Sequence, residues 1–132
     1  MSIFQTVLKP DEAVWKQLVD LHAEAFNDGI DISILIGRAI IFYVVADDKV
    51  VSMATKDIFS NTIRNVCTLK EYRRKGYTKM LLNHIIKLTC KPITLFAKDE
   101  NVKVYEGLNL DNGKFVLASG KENGYNRMEL CR

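Results

Sequence analysis

The order of elements predicted along this chain puts it in the α/β class, as one domain (1–132) built on a mixed central sheet with a single βαβ crossover. Three observations predict this. Segment 63–69, Ile-Arg-Asn-Val-Cys-Thr-Leu, reads as a strand, and a glycine-containing turn then leads into 77–88, where Tyr77, Leu81, Ile85 and Leu88 recur at helical spacing. The short apolar run 92–97 beyond that helix suits a buried strand parallel to 63–69. Strand-like segments on either side, 39–46 with 50–59 and 114–118 with 125–131, are joined by turn-forming residues and read as antiparallel pairs.

Taken in order, 3–8 is a first strand. Pro10-Asp11-Glu12 then starts a helix whose apolar face holds Val14, Leu18, Leu21 and Ala25, and Asn27-Asp28-Gly29 ends it. Residues 30–38 are compatible with a short helix or with a turn over the core. The β-branched and aromatic run 39–46 is a strand, Asp47-Asp48-Lys49 a hairpin turn, and 50–59 and 62–69 two further antiparallel strands broken at Ser60-Asn61. After the 76–90 helix and the 92–97 strand, Asp99 can cap a short helix to about Leu108. Asp111-Asn112-Gly113 is a turn, and 114–118 pairs with 125–131 around a 120–124 loop.

With 132 residues, 48% of them hydrophobic, the chain suits one domain with a real core. It carries no long apolar span and no signal-peptide pattern, since Pro10, Asp11 and Glu12 interrupt the first apolar stretch, so a soluble, cytoplasmic protein with no membrane partner is expected. Cys67, Cys90 and Cys131 are odd in number and far apart, without a Cys-x-x-Cys pair. This argues for reduced thiols and against a disulfide framework or a zinc site, and no metal is expected.

The formal net charge is +3, but residues 70–79 hold Lys70, Arg73, Arg74, Lys75 and Lys79 against the lone Glu71, so this stretch carries +4 and the remainder −1. A nucleic-acid binder spreads basic charge over a face or tail. Here it is gathered at the turn Tyr72-Arg73-Arg74-Lys75-Gly76-Tyr77-Thr78, where a helix begins. The first N–H groups of a helix lack intrahelical partners and sit at the positive end of its dipole, which suits a compact phosphorylated ligand such as a pyrophosphate. Neither Gly-x-x-x-x-Gly-Lys-Ser/Thr nor Gly-x-Gly-x-x-Gly occurs, so nucleoside triphosphates and dinucleotides have no claim on the turn.

Residues 66–78, Val-Cys-Thr-Leu-Lys-Glu-Tyr-Arg-Arg-Lys-Gly-Tyr-Thr, resemble the acetyl-CoA-binding motif of the GNAT (GCN5-related) N-acetyltransferases. The element order agrees over nearly the whole chain. The family pattern here is Arg or Gln, two residues, Gly, one residue, then Gly or Ala. Arg73, Gly76 and Thr78 fill those places, Thr78 being a departure that either crowds the pyrophosphate or offers it a hydroxyl, and Lys70 stands where Pro is common. Downstream, 101–110 resembles the family's second region through Asn101 and Tyr105-Glu106, while Asn109-Leu110 replace the usual Gly-Phe.

The resemblance implies an acyl-CoA N-acyltransferase (GNAT-like) fold and acetyl-CoA as the acetyl donor, with a neutral amine attacking the thioester directly. Main chain at Val66, Cys67 and Thr68 would pair with the pantetheine arm and aim an N–H at the developing oxyanion. Loss of such a donor costs about 2.7–4 kcal/mol. Arg73, Arg74, Lys75, Gly76, Tyr77, Thr78 and Lys79 would hold the pyrophosphate, Asn101 would contribute to the coenzyme site, and Tyr105 would be the general acid for the leaving thiolate.

The base that must deprotonate the acceptor is not announced. Asp57 is a candidate, with an exposed strand carboxylate or an ordered water chain as equal readings. His22 and His84 read as structural or surface residues, and Cys67 as an apolar filler rather than an acyl carrier. Asp28 and Asp31 either attract a cationic amine or serve turns. The acceptor stays open among small-molecule amines and exposed protein amines, and the short chain invites a second copy, as a homodimer, to complete the cleft. Two alternatives stand beside this reading: an acyl-CoA-binding regulatory module without turnover, and an anionic-polymer binder using 70–79.

Overall fold

The computed structural model describes residues 2–132 apart from 28 and 30, and only the main chain of Ser119. Strand β1 is Ser2–Thr6, helix α1 Glu12–Phe26, β2 Ala39–Ala46, β3 Lys49–Asp57 and β4 Thr62–Thr68. Helix α2, Tyr77–Lys87, leads to β5, Thr94–Ala97; helix α3, Asp99–Glu106, precedes the hairpin of β6, Lys114–Glu122, and β7, Tyr125–Cys131. Within the stretch read as a short helix or a turn, Ile32–Leu35 form a 3-10 turn.

The described strands form one seven-stranded sheet in the order β1-β2-β3-β4-β5-β7-β6, in which β4 and β5 are the parallel pair and the others antiparallel. Strand side chains alternate between faces, so a central strand apolar at every position needs cover on both. In β2, Ile41 and Tyr43 join Trp15, Leu18 and Leu21 of α1, while Phe42 and Val44 join Leu81, Leu82, Ile85 and Ile86 of α2. Helix α3 lies with α2, since Val102 and Tyr105 pack on the second of these clusters.

Local chemistry fixes the ends. The Asp11 carboxylate accepts from the Val14 N–H at 3.0 Å and caps α1, and Asn27 closes it in the left-handed region at φ 46°. Asp47 and Asp48, at φ 53° and 60°, make a two-residue turn whose twist matches the β2–β3 hairpin. Strand β1 stops at Thr6 rather than running to residue 8, because the Thr6 hydroxyl donates to the Leu8 carbonyl at 2.8 Å and folds the chain over.

Two further differences from the predicted elements lie near the site. Strand β6 continues to Glu122, and the hairpin turns on Asn123-Gly124, both with positive φ; a register shift between Leu117 and Lys121 absorbs the extra length. Asp99 does not cap α3. Its carboxylate accepts from Lys121 at 2.8 Å and from the Asn126 amide at 2.7 Å, which lowers its pKa and ties the helix start to β6 and β7. Among the described residues the three cysteines are free, and no helix is long and apolar enough to cross a membrane.

Candidate active site

The site begins with a failure of pairing. Strands β4 and β5 meet only at Thr62 opposite Thr94 and Ile63 opposite Leu95. Against β3, the partner of Met53 is Cys67 but the partner of Thr55 is Arg64, so β4 holds one extra residue, and Asn65 takes φ 56°. This bulge bends β4 away from β5. The Asn65 amide donates to the Thr55 hydroxyl at 3.0 Å and fixes the bend. Beyond Ile63 the β5-facing edge of β4 has no strand partner, and a cleft of about 210 Å³ opens there, lined among others by Asn65, Val66, Phe96, Asn101 and Tyr105.

At the far end of β4 lies the basic turn. Arg74 and Gly76 are both left-handed, at φ 64° and 84°, and Gly76 is the N-cap of α2 without a side-chain cap. The consecutive main-chain N–H groups before and inside the first turn of α2 therefore form a concavity of the kind that suits an anion at a helix N-terminus. The side chains stiffen this turn. Arg73 Nε donates to the Thr68 carbonyl at 3.1 Å, and the Tyr72 hydroxyl donates to Asp47 at 2.8 Å, with the Lys49 and Lys75 ammoniums 5.0 and 5.2 Å from its ring centre. Tyr77 packs beside Tyr72 with ring centres 6.1 Å apart, Arg74 is exposed, and Lys79 lines a hollow along α2 next to Gly76.

Thr78 is turned inward. Its hydroxyl is 3.1 Å from that of Thr68, which is 2.7 Å from that of Ser52, and Ser52 donates to the Cys67 carbonyl at 3.1 Å. This chain of hydroxyls locks the start of α2 to the end of β4 and to β3. The Thr78 hydroxyl is thus engaged with Thr68 on the β4 side of the helix start.

Tyr105 reaches the cleft from α3, edge-on to Phe115 with ring centres 6.3 Å apart, and among the described residues nothing hydrogen-bonds its hydroxyl. Burial, with a smaller contribution from Cys67, pushes its pKa up to about 12. The Cys67 thiol is also pushed to about 12, by burial above all; Arg73 pulls it down and Glu24 pushes it up by lesser amounts. A thiol with that pKa is a poor nucleophile at neutral pH, so Cys67 has the chemistry of a filler and not of an acyl carrier.

A second cavity, of about 350 Å³, adjoins the cleft between the C-terminal end of α1, the 3-10 turn and the β6–β7 hairpin. The two share Phe26, Ile63, Arg64, Asn65, Phe96 and Tyr125 as walls. Arg64 stands at the junction, with its guanidinium 5.4 Å from the Phe96 ring centre and its Nε donating to Asp57 at 3.2 Å.

Several expectations change here. Asp57 is held by Arg64 and by the Ser60 hydroxyl at 3.0 Å and lines neither cavity, which removes it from the bases. The Asp31 carboxylate accepts from the Ser33 N–H at 2.9 Å, which lowers its pKa and makes it the cap of the 3-10 turn; Asp28 lies outside the described residues. His22 is buried and tilted against Phe26 with ring centres 4.8 Å apart, yet it reaches the wall of the larger cavity. His84 lies on α2, edge-on to Phe42 and away from both cavities. Arg64, Phe96, Phe26 and Tyr125 were not singled out from sequence, since each is an ordinary strand or helix residue until the sheet splits beside it.

The architecture is that of the acyl-CoA N-acyltransferases, and the resemblance read from the sequence holds at the level of the fold. Escherichia coli ElaA superposes with a TM-score of 0.76 at 14% identity, covering 98% of both chains. An acyl-CoA N-acyltransferase from Pseudomonas aeruginosa gives 0.71 at 15%, again over 98% of both. A Bacillus subtilis acetyltransferase solved in complex with CoA gives 0.69 at 16%, over 97% of this chain and 96% of that one. No family model matches the sequence, and no curated protein matches it.

Proposed function

We propose that this chain is an acetyl-CoA-dependent N-acetyltransferase that moves an acetyl group to a primary amine by direct attack on the thioester. The observation that carries the reading is the split between β4 and β5, with the Gly76 concavity at one end and the Tyr105 hydroxyl inside it. The coenzyme supplies an activated acetyl group and a thiol leaving group. The residues of this chain fit it: an unpaired strand edge suits an extended amide-bearing arm, and an uncapped helix start flanked by Arg74 and Lys75 suits a diphosphate.

A main-chain N–H within Val66 to Thr68, on the edge of β4 that faces the cleft, stabilises the oxyanion that develops as the amine adds. Tyr105 donates its proton to sulfur as the C–S bond breaks and is reprotonated from solvent. The amine proton leaves through water, no carboxylate being assigned as base. A solvent-exposed cleft mouth makes that route available.

Calorimetry with CoA and acetyl-CoA tests the binding half, and free-thiol release against an amine panel tests the chemistry. The expected result is binding of both, turnover with at least one amine, and a drop of about 100-fold in kcat for Tyr105→Phe. Unchanged turnover in that variant removes Tyr105 from the mechanism. Binding with silence across every amine returns the non-catalytic acyl-CoA module, and no heat with either ligand overturns the assignment.

A further inference from the structure

From the walls of the larger cavity we infer that the acceptor is an α-amino acid with an apolar side chain, its carboxylate held by Arg64. This rests on the acetyltransferase reading and names the substrate class it leaves open. The cavity adjoins the cleft through shared walls, so whatever occupies it presents a group to the thioester end of the coenzyme. Its volume of about 350 Å³ is at the small end of the roughly 300–1,000 Å³ typical of small-molecule sites. Phe26, Ile32, Ile34, Leu35 and Phe96 make most of its surface apolar, which suits a branched or aromatic side chain.

Its charges are few, and their placement selects. Among the described lining residues the acidic group is Glu122, out on the hairpin, while the junction with the cleft is held by a cation, Arg64. A polyamine would bring several ammoniums to a cavity whose described lining holds one carboxylate, with a guanidinium at the junction with the cleft. Arg64 uses Nε for Asp57, and its two terminal nitrogens make no hydrogen bond among the described residues. The Arg64 guanidinium lies 5.4 Å from the Phe96 ring centre, and a planar fork with two donors in parallel matches a carboxylate.

This assignment also accounts for the missing base. A peptide α-amino group titrates near 7.7–8.0, roughly, against about 10.4 for an alkylamine. Pairing the acceptor carboxylate with Arg64 removes the negative charge that raises a free amino acid's amine, and moves it toward the lower figure. A useful fraction is then neutral without a dedicated carboxylate.

The experiment compares kcat/KM, with acetyl-CoA, for L-phenylalanine and L-leucine against phenethylamine, L-phenylalaninamide and spermidine. The two amino acids should exceed the others by about 10-fold, the usual scale for one charge-assisted hydrogen-bonded pair at a partly exposed site. Arg64→Gln should bring the phenylalanine-to-phenethylamine ratio to near unity, and Arg64→Lys, which keeps the charge and loses the fork, should give an intermediate ratio. Spermidine or phenethylamine matching the amino acids, or a ratio unmoved by Arg64→Gln, overturns the inference.

A binding arm separates this failure from that of the underlying reading. N-acetyl-L-phenylalanine should raise the melting temperature of the CoA-bound wild type and not of CoA-bound Arg64→Gln. No rise in the wild type sinks the acceptor class even if another amine is acetylated, whereas no rise with CoA itself sinks the coenzyme site.

Discussion

Strands β2 and β3 stay in register from Ala39 opposite Asp57 to the Asp47-Asp48 turn, with one irregularity between Val44 and Val45, whereas β4 and β5 touch at Thr62 and Ile63 and part. Both pairs sit in the same sheet and are built of similar residues. The difference is what surrounds them. On β2, both faces are covered by helices and residues 41 to 45 are paired with a strand on either edge, so the region stores stability. On β4, one residue inserted at Asn65 frees an edge, and the side chains that would have covered a parallel neighbour become cavity walls instead. Binding capacity in this fold is backbone pairing withheld at one place, and it is tolerable because the β2–β3 side and the β5–β7 pairing hold the sheet on either side of the gap.

The largest expected effect breaks the well-paired side. Phe42 is fully buried on the α2 face, and Phe42→Ala should cost about 3–5 kcal/mol in urea unfolding, a large part of what a domain of this size has. Loss of 1 kcal/mol or less would mean the cover over β2 is not the stability store described here.

Next comes pH, which acts on the split side. Tyr105 and Cys67 are raised from 10.0 and 9.0 to about 12, so between their unfolded and folded values the native state holds protons that the unfolded chain has released. Stability is therefore fully present below about pH 9 and falls as pH rises toward 12. For Tyr105 alone the loss is up to about 3 kcal/mol at about 1.36 kcal/mol per pKa unit. Urea midpoints from pH 8 to 11.5 read this directly. Tyr105→Phe should flatten the upper part of the curve, and a curve identical in that variant would show that the phenol titrates as it does in water.

Smaller again is the conformational demand at the turn. Gly76 has φ 84° and nothing within 4 Å of where a Cβ would stand, so Gly76→Ala tests backbone strain without a clash. It should cost about 1 kcal/mol, from the αL penalty for a residue with a Cβ, and raise the acetyl-CoA KM more than it lowers kcat. An unchanged KM would place the coenzyme elsewhere.

The same contrast explains what the sequence made legible. Local signals sufficed where structure is local: Asp11 before α1, the Asp47-Asp48 turn, the 3.6-residue spacing of Leu81 and Ile85, and the crossover to a strand read as 92–97 and found at 94–97 were all readable. The turn at Arg73 to Thr78 was readable because a glycine in a cluster of cations marks both a helix start and a counter-charge. What stayed hidden depends on partners far along the chain. Whether Asn65 bulges is decided by how β3 pairs with β4. The use of Asp99 is decided by Asn126, 27 positions away. Arg64 becomes a site residue through Phe96, on the strand that β4 leaves, and Asp57 is lost as a base to that same arginine. No periodicity in either segment announces these meetings.

The smallest expected effect concerns the residue that departs from the motif's Gly or Ala. Because the Thr78 hydroxyl is engaged with Thr68, Thr78→Ala should leave the CoA dissociation constant within about twofold, about 0.4 kcal/mol. It should lower stability by about 0.5–1.5 kcal/mol through the lost hydrogen bond, seen as a fall of a few degrees in melting temperature. Thr68 keeps its contact with Ser52, so the damage stays at one link. Tenfold tighter CoA binding in the variant would mean that the Thr78 side chain obstructs the diphosphate after all. In that case the hydroxyl chain would be holding α2 away from its ligand rather than presenting it, and the stiffness of the turn would count against binding.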